Sequence, residues 1–185
     1  MLVQIMLGIL MAMDPIGSGL HDGIRLVYAS GGAAQAPWIY ESVRVVAREQ
    51  FERCVVTVRR GQAERESCAR GDTLFERRPS GEYAVARPIG PNMELEVHTA
   101  AGDALHYSTG PATRRQMSWD SVAYLPTTII TRNAAGSVTR RLREHYAPAL
   151  LTALWGVFEE PEAAGGWRMV REFSLAEVQL PEHNH

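Results

Sequence analysis

Cys54 and Cys68 are the only two cysteines in the chain, and they flank a turn. FERCVVTVRR runs into Gly61-Gln62, and AERESCA runs out of it, with Val55, Val56 and Val58 marking the first segment as a strand. A three-residue loop over 60–62 sets Arg59 opposite Ala63, and counting outward sets Cys54 directly opposite Cys68. The same count makes them a non-hydrogen-bonded pair, with Cα atoms about 4.5 Å apart, at the short edge of what a disulfide spans. Oxidised, the pair closes a loop of about 15 residues and stabilises the fold by about 3 kcal/mol on the chain-entropy model. A zinc site is disfavoured, because two thiolates at this spacing have no recognisable second ligand pair.

Other groups capable of chemistry are scattered. Glu94, Glu96 and His98 alternate along one segment, and His183 and His185 close the chain, so a metal could draw on them. Alternating polar residues are also what a solvated strand face looks like, and that is the reading taken. No G-x-S-x-G, H-E-x-x-H, C-x-x-C, P-loop or G-x-G-x-x-G occurs. The reading is therefore of a non-enzymatic protein without a cofactor or metal.

The elements that must position these residues are short apolar runs separated by glycine, proline and asparagine. Met93, Leu95 and Val97 point one way, Glu94, Glu96 and His98 the other. Turn signals recur at Gly31-Gly32, Pro79-Ser80-Gly81, Gly90-Pro91-Asn92, Ala101-Gly102-Asp103 and Asn133-Ala134-Ala135-Gly136. Such punctuation belongs to a mainly β, antiparallel sandwich or half-barrel, and the lack of βαβ alternation argues against a parallel sheet. Residues 147–160 read two ways. Pro148 and a face of Leu150, Leu151, Leu154, Trp155 and Phe158 suit a short C-terminal helix. Thr152 and Gly156 weaken it, and Ala164-Gly165-Gly166 could instead close a hairpin. The helix is the slightly stronger reading.

The 185 residues suffice for one buried core, and the chain divides into a segment 1–19, a single β domain 20–180 and a tail 181–185. A net charge of -2 excludes nucleic acid as the main partner. All 19 basic residues are arginines, each a planar, permanent cation suited to carboxylate or phosphate. Arg59-Arg60, Arg77-Arg78, Arg114-Arg115 and Arg140-Arg141 are adjacent pairs, for which a solvated face is the commoner explanation and a binding patch the sharper one. Trp119 and Trp167, beside loops, are the interface candidates among the four tryptophans.

Residues 2–12 form an apolar run in which Leu2, Ile5, Met6, Leu7, Ile9 and Leu10 are the bulky members. As a helix it would reach about 16 Å, half of a bilayer core, so it does not span. It reads equally as an atypical signal sequence or as a retained anchor in the membrane interface. Either points to export, and with the disulfide to the periplasmic face of a bacterial membrane.

Through the strand pattern and the spaced cysteine pair, the chain resembles exported β-rich proteins of high-GC bacteria over most of its length. In overall character, with its anchor-like start, β domain and no active-site motif, it also resembles the membrane-extrinsic polypeptides that brace bacterial photosynthetic reaction-centre and antenna complexes. That resemblance implies an accessory subunit that docks on membrane-protein partners and lipid head groups through Trp119, Trp167, Arg114, Arg115, Arg140 and Arg141. The competing expectation is an exported, lipocalin-like or half-barrel carrier of an apolar ligand.

Overall fold

A computed structural model describes residues 23–31, 39–59, 61–118 and 120–179. The first half of the chain forms β1 (Arg25–Gly31), β2 (Ile39–Val46), β3 (Arg53–Arg59), β4 (Arg65–Arg70), β5 (Thr73–Arg77) and β6 (Tyr83–Pro88). The second half forms β7 (Glu94–His98), β8 (Ala104–Thr109), β9 (Thr113–Gln116), β10 (Ser121–Arg132), β11 (Val138–Ala147), β12 (Thr152–Pro161) and β13 (Trp167–Gln179). All pair antiparallel in one sheet, ordered β6-β5-β4-β3-β2-β1-β13-β12-β11-β10-β8-β7, with β9 on the first part of β10. The sheet curls until its two edges, β6 and β7, approach one another without pairing. The result is a nearly closed barrel, with a seam between two strands that are consecutive in the chain.

No helix occurs among the described residues, and the helix expected over 147–160 is corrected. Residues 148–151 form a turn and Thr152–Pro161 is a strand between β11 and β13. Gly156, which weakened the helical reading, has a strand function. It sits between Glu144 and Phe173 in one cross-strand row, and a Cβ there would stand 2.5 Å from the Phe173 ring. The strand β9 was not foreseen, since Thr113–Gln116 is wholly exposed and has no apolar alternation to betray it.

Alternation decides which side chains enter the barrel, because directly opposed residues share a face. One row passes through Leu26, Glu41 and Arg59, another through Val55, Ser67 and Glu76. At one end the interior is filled by Ile24, Leu26, Val43, Leu74, Ile89, Leu154, Leu175 and Val178. The 148–151 turn plugs this end with Leu150 and Leu151. The Arg53 guanidinium donates to the Pro148 and Ala149 carbonyls, at 2.7 and 3.2 Å, and ties the plug to β3. Leu151 holds a left-handed backbone, φ 49°, which a leucine adopts only when packing requires it.

The disulfide forms as the register count requires. Cys54 pairs with Cys68 across β3 and β4, with Cα atoms 4.0 Å apart, and the Gln62 amide donates to the Arg59 carbonyl in the turn. Both cysteines face outward, yet they are fully buried; Phe75 stands directly opposite Cys68 on β5, and Phe51 packs against Phe75 and Tyr83 with ring centroids 5.3 and 4.7 Å away.

Candidate functional site

The other half of the barrel interior is polar. A cavity of about 280 Å³ is lined there by Arg59, Arg65, Arg87 and Arg171 and by Glu41, Glu76 and Glu144, with Tyr28, Tyr146, Phe158 and Phe173. Four guanidiniums face three carboxylates. Arg59 pairs with buried Glu41, its neighbour in the β2–β3 register, and Arg65 lies 3.9 Å from Glu76. Arg87 reaches from β6 past the seam to bond Glu144 on β11, and both side chains are buried. Each carboxylate has its arginine. Arg171, exposed at the mouth, donates to the Ser30 hydroxyl at 3.2 Å and has no carboxylate partner among the described residues. The lining thus carries an excess of positive charge.

Two polar groups in this wall are buried without a partner, the Tyr146 hydroxyl and the Arg87 Nε–H. The Arg87 guanidinium lies over the Tyr146 ring, Cζ 3.7 Å from its centroid, and 5.6 Å from that of Tyr107. Burial pushes the Tyr146 phenol up to about 12, against the opposing pull of Arg87, so it stays protonated and able to donate. Burial works against the Arg87 charge, but Glu144 outweighs it and keeps the guanidinium firmly cationic. A buried donor left unsatisfied costs about 1–3 kcal/mol, and both atoms belong to residues of the cavity lining but expose no surface to it, so an acceptor oxygen would reach them only through a shift of that lining. By contrast, the Tyr28 hydroxyl, also pushed up by burial, is bonded to Thr152.

A second space adjoins the cavity. Arg65, Glu76 and Arg87 also line a groove of about 540 Å³ along the seam, walled by Ala84, Val85 and Ala86 on one side and by Val97, Leu105 and Tyr107 on the other. At its base the two edges are joined through residues 89–93. Thr109 Oγ1 accepts from the Met93 amide and donates to the Gly90 carbonyl, both at 2.8 Å, and a Cβ at Gly90 would collide with Asp72 and Met93.

Of the residues singled out from sequence, Arg59 lines the cavity and Arg77 and Arg78 the groove, and the others fall elsewhere. Leu2, Ile5, Met6, Leu7, Ile9, Leu10, Trp119, His183 and His185 lie outside the described residues. Arg114 and Arg115 are exposed on β9. Arg140 and Arg141, being adjacent in a strand, point to opposite faces. Arg140 turns towards Phe158, at 5.9 Å from its ring centroid, while Arg141 covers Trp167 at 4.2 Å and bonds Glu159 at 2.6 Å. Glu94, Glu96 and His98 share the exposed face of β7, with His98 Nε2 3.2 Å from Glu96. Sequence reasoning missed Arg87, Glu144 and Tyr146 altogether. The signal available was an alternation of charged residues at inward positions, which only the closed sheet turns into a cluster. No protein-family profile, curated protein or solved structure matches this chain.

Proposed function

We propose that this protein is an exported binding barrel that holds a small organic anion in its polar interior. The observation that carries the reading is the pair of unpartnered buried donors, Tyr146 O–H and Arg87 Nε–H, in the wall of a cavity with surplus positive charge. A carboxylate or phosphate drawn in by the surplus charge would satisfy these donors after a small shift of the lining that encloses them, and the Phe158 and Phe173 rings offer an apolar surface for the rest of the molecule. The expected carrier of an apolar ligand thereby becomes a carrier of a ligand with an acidic end.

The test is titration calorimetry with benzoate and phenyl phosphate against the full chain. At least one should bind at one site per chain, and Tyr146→Phe should weaken it by about tenfold or more, the worth of a hydrogen bond to a charged group. Failure of both to bind, or equal binding by Tyr146→Phe, overturns the reading.

A second reading, a membrane-extrinsic subunit docked on a membrane complex, draws support from the β12–β13 hairpin. Met169 and Val170 are 61% and 52% exposed there, beside Trp167. With residues 1–19 as its anchor, such a subunit should lose membrane association when residues 1–18 are deleted, while circular dichroism shows the barrel still folded. Undiminished association after the truncation would remove the anchor.

A further inference from the structure

We infer that the ligand is a single-chain anionic amphiphile, such as a long-chain carboxylate or alkyl phosphate, whose head sits at Arg87 and whose tail lies in the seam between β6 and β7. This deepens the binding-barrel reading and rests on it. Arg65, Glu76 and Arg87 border both the polar cavity and the seam groove, so the Arg87 guanidinium stands between the two spaces and an anionic head in the groove can lie against it. Beyond that junction the groove has an apolar stretch, Ala84 and Ala86 on one side and Val97 and Leu105 on the other, bordered further on by Arg77, Arg78 and His98. Its volume of about 540 Å³ is within the range of ordinary small-ligand sites.

Charge selects the head. Of the groove's arginines, Arg65, Arg77 and Arg87 pair with Glu76, Glu66 and Glu144, and Arg78 is left as surplus positive charge, so an anion is favoured over a cationic or neutral amphiphile. Geometry selects the tail. β6 and β7 are joined at the base through Thr109 and Gly90 and are not hydrogen-bonded to each other above it. The seam is therefore a lateral slot with side-chain walls, open to a narrow flexible chain along its apolar stretch. A ligand can enter sideways, without passing the Leu150 and Leu151 plug at the far end.

The experiment is calorimetry with hexanoate, octanoate, decanoate and dodecanoate below their micelle concentrations, with dodecanol as the uncharged comparison. Affinity should rise about two- to fourfold for each added methylene, as partial to full burial of the chain requires. Binding should saturate at one per chain, and dodecanol should bind at least tenfold more weakly than dodecanoate. Val97→Asn, which makes the groove wall polar without adding charge, should flatten the series. If the short probes benzoate and phenyl phosphate bind but affinity does not change with chain length, the tail assignment is wrong and the cavity reading stands. If neither the short probes nor the fatty acids bind, the cavity reading falls, and this inference with it.

Discussion

Two clusters in this molecule are built from the same three groups, a buried carboxylate, arginine and a phenol, and they differ in how far those groups are satisfied. On the outer face of the barrel, Glu66 accepts from the Tyr83 hydroxyl at 2.6 Å and from Arg48 at 2.7 Å, with Arg77 at 3.6 Å. Burial opposes the Glu66 charge, yet the bonds from Tyr83 and Arg48 hold its carboxyl below the usual range. Phe51 packs against Phe75 and Tyr83, with Arg70 4.9 Å from the Phe75 centroid and Phe75 opposite Cys68 of the disulfide. Everything there has a partner. In the interior, Glu144 is bonded to Arg87, but the Tyr146 hydroxyl and Arg87 Nε are buried with none. A saturated polar cluster is a structural clamp; an unsaturated one facing a cavity is a site with bonds left to make.

The largest effect that would sharpen this contrast is expected at Arg87. Arg87→Met leaves Glu144 as an uncompensated buried charge and should lower unfolding free energy by about 3–5 kcal/mol in urea titrations. The double variant Arg87→Met/Glu144→Gln should recover most of that loss. If the single variant is nearly as stable as the wild type, Glu144 is not buried as described.

The two tyrosines should then separate. Tyr83→Phe removes a donor from the Glu66 carboxylate and should cost about 1–2 kcal/mol. Tyr146→Phe removes a hydroxyl that bonds nothing within the protein, and its stability should change by no more than about 0.5 kcal/mol in either direction. Equal losses from the two substitutions would dissolve the distinction between clamp and site.

The sheet and the disulfide were legible because their information is local. Strand alternation, turn residues and a count outward from Gly61 need only a few consecutive positions, and they place Cys54 opposite Cys68 as observed. Residues 147–160 were misread because a short apolar run carries both periods. What decides between them is the neighbouring Phe173, which needs the space over Gly156. The site was illegible for the opposite reason. Arg87, Glu144 and Tyr146 come from β6 and β11, which are not neighbours in the sheet, and each looks alone like an ordinary strand residue. Adjacency in sequence does not by itself make an arginine patch in a strand, because consecutive side chains go to opposite faces, as those of Arg140 and Arg141 do.

The strand order also bears on how the chain finds this fold. Nearly every neighbouring pair in the sheet is a hairpin between consecutive strands or spans only the short β9, so each half of the chain can zip up on its own. The exception is β1 against β13, where Arg25 meets Gln179 and the two extremes of the described chain lie side by side. That single closure carries nearly all of the loop entropy in the topology, and as a distant pairing it should come late in folding. The seam lies at the middle of the chain, between strands that a simple meander would have paired. A circular permutant joined across β1 and β13 and opened at residues 90–92 would turn the one distant pairing into a local hairpin while cutting the barrel where no ladder crosses.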